Sequence, residues 1–294
     1  MAKVITGGNL EIDPIALEAL YELEIVKEIN EHSSLHFKGV VEEDKNKYIH
    51  LRDTQKELEV NKVDDAGTEI LFKGKISNLK IKAVRDIYHI EVEAVSYISD
   101  LDLKLKKRSF QDQKMTYKQL LKEVIADYPG GDVMDKASQG AQIEKFILQY
   151  RETDWQFLKR LASHFNTGLI PDDKFAKPKF YFGVPKKASK GKLKNFNYRV
   201  KKRLGDYRFS FENYIEDLKE TDFTYYEVQT NQILNVGDKV KFKNNPLYVS
   251  KVVAKLKDGL LKHICSVAPK KGLAQNTIYN EKLVGLSLQG KVID

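Results

Sequence analysis

Two histidines are the first residues whose type and spacing could do chemistry. His32 and His36 lie four positions apart, a spacing that can hold a metal ion on a helix. Ser33 and Ser34 lie between them and alternating apolar residues follow, which favours a turn or a strand and would point the two rings apart. A third ligand is not evident in the sequence. We therefore interpret both as partly exposed histidines and predict no metal ion.

Paired carboxylates are the second candidate for chemistry. Glu42-Glu43 and Asp172-Asp173 are adjacent acids, but such pairs are common in a chain with 42 acidic residues. Glycoside hydrolysis needs two carboxylates placed across a cleft, which a sequence does not show. The G-x-S-x-G, Walker A, G-x-G-x-x-G and H-E-x-x-H motifs are absent. We predict a protein that is not an enzyme and has no cofactor, with a cell-wall hydrolase as the weakest alternative.

A lysine-rich segment is the strongest candidate for a binding surface. From Lys174 to Gly205 the sequence has ten lysines, two arginines and no Asp or Glu. Because the net charge of the chain is +8, the remaining residues carry about −4. The candidate contacts for an anionic partner are Lys186, Lys187, Lys190, Lys192, Lys194, Arg199, Lys201, Lys202 and Arg203.

Several interpretations of this segment remain open. It could bind nucleic acid phosphates, an anionic glycan, a membrane surface or an acidic protein patch, and Tyr181, Phe196 and Tyr198 resemble stacking platforms. We favour a solvated loop, because the stretch has little to bury. Contact with the acidic residues 10–31 of a neighbouring subunit is a further alternative.

The only tryptophan, Trp155, begins a strongly specified amphipathic helix. Thr153 is followed three residues later by Gln156, which predicts a capping box at the start of the helix. Trp155, Leu158, Leu161, Ala162 and Phe165 share one apolar face, while Gln156, Lys159, Arg160 and Ser163 form the opposite face. Gly168 suits the left-handed position that closes a helix. We interpret Trp155 as core packing with no reactive group.

The elements around these residues change type twice along the chain. Residues 20–100 alternate between apolar and polar, which predicts an antiparallel sheet or small barrel. Residues 110–185 combine two capped helices with short strands, which predicts an α+β domain. Alternation returns around the Asn-Asn-Pro and Lys-Asp-Gly turns of the C-terminal region. The predicted domains are 1–108, 109–203 with the lysine-rich segment, 204–272, and 273–294 as a linker or the start of a further domain.

Weaker signals concern duplication, the single cysteine and targeting. Lys75-Ile76 and His89-Ile90 correspond to Lys251-Val252 and His263-Ile264, so either a shared hairpin plan or a duplicated barrel explains the pattern. The single cysteine, Cys265, excludes an internal disulfide and is predicted to be small and buried. We expect no signal peptide and no membrane insertion, because no apolar run reaches about 18 residues.

The stretch Gln149–Gly168 resembles the signature of the baseplate hub family of contractile injection systems. That family includes the hub proteins of contractile phage tails and R-type bacteriocins, the late control D proteins of phages and the VgrG spikes of type VI secretion. The motif residues are Tyr150, Glu152, Thr153, Asp154, Trp155, Phe157, Leu158, Arg160, Leu161 and Gly168.

The resemblance implies a mainly β fold of two related small β-barrels separated by a small α+β domain. It also implies a homotrimer that joins a six-fold inner tail tube to a three-fold spike or tip protein, beside baseplate wedge proteins. DNA would pass through the lumen in a phage. The chain would be made in the bacterial cytoplasm and would end in the assembled baseplate. A basic β-rich module that binds nucleic acid or an anionic glycan is the alternative function.

Overall fold

A mainly β fold with an α+β insert is confirmed by the structure, a computed structural model that describes residues 4–42, 57–194 and 197–289. The N-terminal β region contains β1 to β7: Ile5–Thr6, Leu10–Asp13, Leu17–Glu28, Ser34–Val41, Glu57–Asp64, Gly67–Val84 and Ile87–Ser96. The insert contains β8 to β12: Lys106–Phe110, Asp132–Asp135, Ile147–Glu152, Leu169–Pro171 and Lys179–Phe182. The C-terminal β region contains β13 to β18: Ser189–Lys192, Tyr198–Lys202, Thr224–Thr230, Lys239–Phe242, Asn245–Lys257 and Leu260–Ala268. The α-helices are α1, Tyr117–Ile125; α2, Asp154–Ser163; and α3, Leu204–Asn213.

One sheet of 13 strands joins the two β regions. Its main order is β14-β15-β18-β17-β3-β4-β7-β6-β5-β2, with β1 paired to β18, β16 to β17 and β13 to β16. The expectation of two separate barrels therefore needs correction: no ring of paired strands closes among the described residues. The regions merge because the 13-residue strand β17 pairs with β3 near its end and with β16 near its beginning.

Each β region nevertheless has a hydrophobic core of its own. The N-terminal core is built from inward-facing residues such as Phe37, Phe72 and Val92, and it also takes in Leu256 and Leu261 from the β17–β18 hairpin. The C-terminal core contains Val228, Val240, Phe242 and Val267, with Cys265 buried and free as predicted. Alternate residues of each strand face these cores, which explains the period-two pattern of the sequence.

The insert packs α1 and α2 against two small sheets. Strand β10 pairs with β8, and β12 lies between β11 and β9. Trp155, Phe157, Phe180 and Phe182 are fully buried between these layers. The insert's first strand, β8, begins at Lys106, three residues before the predicted start of the domain at residue 109.

The lysine-rich segment differs from the predicted solvated loop. Residues 189–192 form β13, which pairs with β16, and residues 198–202 form β14, which pairs with β15. These two parts of the segment thus extend the large sheet instead of belonging to the insert, because the apolar Leu193 and Tyr198 beside them pack on the C-terminal core.

The segment after β18 returns to the insert. A short 3-10 helix at Lys270–Leu273 is followed by an extended stretch in which the Ile278 amide donates to Ser163 Oγ at 2.9 Å. The Asn280 side chain donates to the Tyr150 carbonyl at 2.9 Å. The predicted linker is therefore anchored on α2 and β10 over these residues.

Candidate functional site

The motif helix α2 begins with the predicted capping box. The Gln156 amide donates to Thr153 Oγ at 3.2 Å, and the Gln156 side chain accepts from the Thr153 amide at 3.3 Å. The Thr153 hydroxyl also donates to Asp102, whose other oxygen lies 3.0 Å from His32 Nε2. The helix start is therefore tied to the end of the N-terminal β region as well as to itself.

Trp155 joins the insert to the end of β3. Its side chain is 1% exposed, and its indole Nε1 donates to the Asn30 carbonyl at 3.0 Å. The ring lies 5.4 Å from the His32 ring and 5.5 Å, edge to face, from Phe180. The predicted packing role is confirmed, since the indole is enclosed and its polar atom is satisfied.

Asp154 is the centre of a buried ionic cluster. Its carboxylate is fully buried and accepts from Lys106 Nζ at 2.6 Å, Arg108 Nη1 at 2.7 Å, Tyr128 Oη at 2.7 Å and Gln149 Nε2 at 2.9 Å. Burial, and then the hydrogen bond to Asp154, raise the pKa of Tyr128, so the phenol stays protonated as a donor.

Asp127 completes the exposed side of the same cluster. It contacts Lys106 at 2.7 Å and also Arg108. The hydrogen bond from Lys106 lowers the pKa of Asp127, which remains ionised. All the charges of the cluster are therefore compensated within it, so the cluster holds β8, β10 and α2 together and leaves no reactive group free.

A second buried ion pair corrects the predicted polar face of α2. Arg160 donates to Glu152 through Nε and Nη2, both at 2.8 Å, and to the Leu148 carbonyl at 2.8 Å. Arg160 and Ser163 lie on the face opposite the predicted apolar one, yet both are buried. Strand β10 and the C-terminal segment cover that side of the helix, so the bidentate pair replaces water as the partner of the guanidinium.

The remaining motif residues have packing roles. Phe157, Leu158 and Leu161 are fully buried in the insert core. Tyr150 is half-buried, with Lys107 Nζ 5.1 Å and the Arg151 guanidinium 5.5 Å from its ring centre. These contacts lie on the side of β10 that the C-terminal segment reaches.

The prediction for Gly168 is wrong in its mechanism. The left-handed position after α2 is occupied by Asn166, with φ 47°, whereas Gly168 does not have a positive φ. A Cβ atom at Gly168 would lie 2.7 Å from Asn30 Oδ1 and 2.8 Å from an Ile29 side-chain carbon. Glycine is needed there because the insert approaches β3 closely, and Asn30 Oδ1 accepts from the Leu169 amide at 2.7 Å.

The nine candidate basic residues divide into two groups. Four are satisfied within the chain: Lys187 contacts Asp238 at 3.4 Å, Lys201 contacts Glu227, Lys202 contacts Glu220 at 2.9 Å, and Arg203 lies over the Tyr225 ring at 4.6 Å. The other five have no ion-pair partner among the described residues: Lys186, Lys190, Lys192, Lys194 and Arg199. All five are exposed.

The aromatic residues of this segment do not form the stacking platforms considered above. Tyr181 is half-buried with Lys187 Nζ 5.1 Å from its ring centre, and Tyr198 packs edge to face on Phe242 at 5.4 Å. Phe196 lies outside the described residues. The two described rings are occupied by contacts within the chain.

Sequence reasoning missed a buried lysine where the three parts of the fold meet. Lys27 Nζ donates to the Leu71 carbonyl at 2.8 Å, to Asp173 at 2.9 Å and to Asn235 at 3.1 Å. These partners belong to β6, the insert and the C-terminal region. A signal was available, since Lys27 continues the inward alternation of Leu23 and Ile25 along β3.

The two histidines singled out in the sequence have separate carboxylate partners. His32 contacts Asp102, whereas His36 contacts Glu91 at 3.1 Å, so the two rings are separated as predicted. Within residues 4–42, 57–194 and 197–289, no group of three or more His, Cys, Asp or Glu side chains is placed to hold a metal ion. Across the same part of the chain, no helix has the length and apolar character needed to cross a bilayer.

The family comparison agrees with the sequence motif. Residues 27–165 match the sequence model of the phage tail baseplate hub family. A comparison of the whole sequence with curated proteins finds no significant match. The matched residues run from the buried Lys27 to the end of the motif helix, so they include the hydrogen bond from Trp155 to Asn30 that joins the insert to the end of β3.

Solved structures share the fold at low sequence identity. A type VI secretion system component from E. coli, described as similar to bacteriophage T4 tail proteins, has a TM-score of 0.67 at 14% identity, covering 92% of this chain and 80% of its own. A 43 kDa prophage tail protein from Shewanella oneidensis has a TM-score of 0.66 at 12% identity, covering 92% and 100%. A tail protein from Neisseria meningitidis has a TM-score of 0.65 at 8% identity, covering 90% and 98%. Residues 27–165 of the chain are therefore similar to the phage tail baseplate hub family, and its fold is shared by phage tail proteins.

Proposed function

We propose that this hub protein is a homotrimeric adaptor between a six-fold inner tail tube and a three-fold spike. The observation that carries the proposal is the pair of β regions, each with its own core, in one continuous sheet. Three copies would supply six such units around one axis, and the insert and C-terminal segment would repeat only three times. A trimer of this kind presents a six-fold and a three-fold pattern at once.

The role is structural, and DNA or cargo would pass through the lumen of the ring. The ionisable residues of the motif are engaged in the Asp154 cluster and the Glu152–Arg160 pair. A rigid link between the insert and the sheet would carry force from the spike to the tube. Each contact with these partners would be repeated around the ring, so moderate contacts would add through multivalency. The final location would be the assembled tail baseplate.

Solution mass tests this proposal. Light scattering of the purified chain, alone and with its tube protein, is expected to give three copies, and negative-stain images are expected to show a ring with a central hole. A chain that remains a monomer at every concentration and in the presence of the tube protein would contradict the adaptor role.

A further inference from the structure

The two ends of the 13-stranded sheet carry opposite charge. Strand β14 is terminal at one end and pairs only with β15, while β2 is terminal at the other end and pairs only with β5. Strand β14 reads Tyr-Arg-Val-Lys-Lys, and β2 reads Leu-Glu-Ile-Asp. Among the described residues, each terminal strand has one side without a strand partner, and such a side can pair with another strand.

The basic end has an unusual apolar component. Val200 is 51% exposed between Arg199 and Lys201, and Phe209 on the adjoining helix α3 is 55% exposed. The ion pairs of Lys201 and Lys202 are themselves exposed, so each contributes little and can be exchanged for another partner. The surface therefore suits an acidic strand with an apolar residue.

The acidic end lies beside an open depression of about 740 Å³. Its lining includes Glu11 and Asp13 of β2 and Glu18 of β3, all three exposed. Among the described residues, none of these carboxylates has an ion-pair partner. Leu10 and Leu17, which pack on the N-terminal core, supply apolar surface in the same depression.

Within the described part of one chain, the terminal strands β14 and β2 do not pair with each other. Strand β15 lies between β14 and β18, and β14 and β2 are the first and last strands of the main path. The complementary partner of β14 is then the β2 end of another copy. A contact between two different surfaces of identical chains is heterologous, and it closes into a ring when the rotation between copies allows.

We propose that β14 of one copy docks against β2 and its acidic depression in the next copy. Arg199, Lys201 and Lys202 lie opposite Glu11, Asp13 and Glu18, and Val200 covers the apolar part of the depression. This inference rests on the proposed homotrimer and names the surfaces that form it. Two basic ends or two acidic ends would repel each other. The charges therefore favour contact between the basic end of one copy and the acidic end of the next.

Charge reversal with compensation tests the contact. The basic variant carries Arg199→Glu and Lys201→Glu, and the acidic variant carries Glu11→Lys and Asp13→Lys. Each is expected to weaken self-association at least tenfold by analytical ultracentrifugation at low salt, whereas an equimolar mixture of both, or the four changes in one chain, restores it. Lys118→Glu on α1 is the matched control, since Lys118 is exposed and lies on neither end of the sheet. Thermal midpoints check that each variant folds.

A cysteine cross-link gives a second readout. Cys265 is buried, so Glu11→Cys and Arg199→Cys in one chain introduce the accessible thiols. Oxidation is expected to give covalent trimers, which the single-cysteine variants do not form, because a disulfide needs Cβ atoms about 4 Å apart.

The outcomes separate this contact from the hub function. A trimer that survives both reversals without change and does not cross-link would overturn the inference while leaving the adaptor role intact. A wild-type monomer in every condition would remove both. A basic variant that loses salt-dependent DNA binding but still assembles would assign β14 to nucleic acid and overturn the inference.

Discussion

The motif helix and the lysine-rich segment are both dense in charged and aromatic residues, yet they fold into opposite environments. Asp154 and Arg160 are buried with every charge compensated, whereas Lys190, Lys192 and Arg199 are exposed with no ion-pair partner among the described residues. The difference lies in whether charges of opposite sign fold against each other. In the motif, Arg160 pairs with Glu152 and Asp154 pairs with Lys106 and Arg108 of β8, whereas residues 174–205 carry only positive charge.

The largest expected effect is at the centre of the buried cluster. Asp154→Ala leaves Lys106 and Arg108 without their shared buried partner, so we expect a loss of about 3–5 kcal/mol in the free energy of unfolding. Urea unfolding followed by Trp155 fluorescence measures it. Asp127→Ala is the matched control, because it removes an exposed carboxylate from the same two bases and should cost less than about 1 kcal/mol. Equal losses would show that burial is not what distinguishes the cluster.

Two buried histidines predict that the stability of the folded chain depends on pH. Burial, with Lys27 nearby, lowers the pKa of His263 to about 4, below its unfolded value of about 6.5. Between these values the unfolded chain binds the proton and the folded chain does not, so stability falls as pH decreases from about 6.5 to 4, by up to about 3 kcal/mol. His164, with a pKa of about 4, acts in the same direction.

The measurement is the urea midpoint between pH 7 and pH 4. His263→Asn is expected to flatten the profile, because it removes the buried imidazole whose pKa is lowered in the folded state. A wild-type profile that does not fall over this range would show that His263 is accessible to protons in the folded state.

A smaller effect is expected at the close approach between insert and β3. Gly168→Ala places a Cβ against Asn30 and Ile29, and the required shift should cost about 1–3 kcal/mol. Gly205→Ala is the control, because no atom lies within 4 Å of its Cβ position on α3, and alanine there should be neutral or slightly stabilising. Calorimetric midpoints of the two variants are compared directly; a neutral Gly168→Ala would show that the insert tolerates displacement from β3.

The smallest effect is expected on the basic segment. Lys192→Glu changes an exposed side chain with no ion-pair partner among the described residues, so the free energy of unfolding should change by less than about 0.5 kcal/mol. Urea unfolding under the conditions used for Asp154→Ala checks it. A loss above 2 kcal/mol would mean that the lysine-rich strand stabilises the fold as the motif does.

Much of the fold was predictable, for reasons visible in particular residues. Period-two alternation placed Leu23, Phe37 and Val92 inside because a strand sends alternate side chains to one face. The capping boxes at Thr116 and Thr153 marked both helix starts, because they depend only on residues three positions apart. The motif around Trp155 was sufficient to indicate the family.

The sequence alone determined these local elements, the family resemblance and the location of the positive charge, because each is encoded within a short window. Only the tertiary structure decided that both β regions share β17 and β18, that Arg160 and Lys27 are buried, and that the lysine-rich segment becomes sheet strands. These outcomes depend on partners far apart in the sequence, such as Asn235 for Lys27, which are 208 positions apart. Burial of a charge is set by what folds against it, which no local pattern contains.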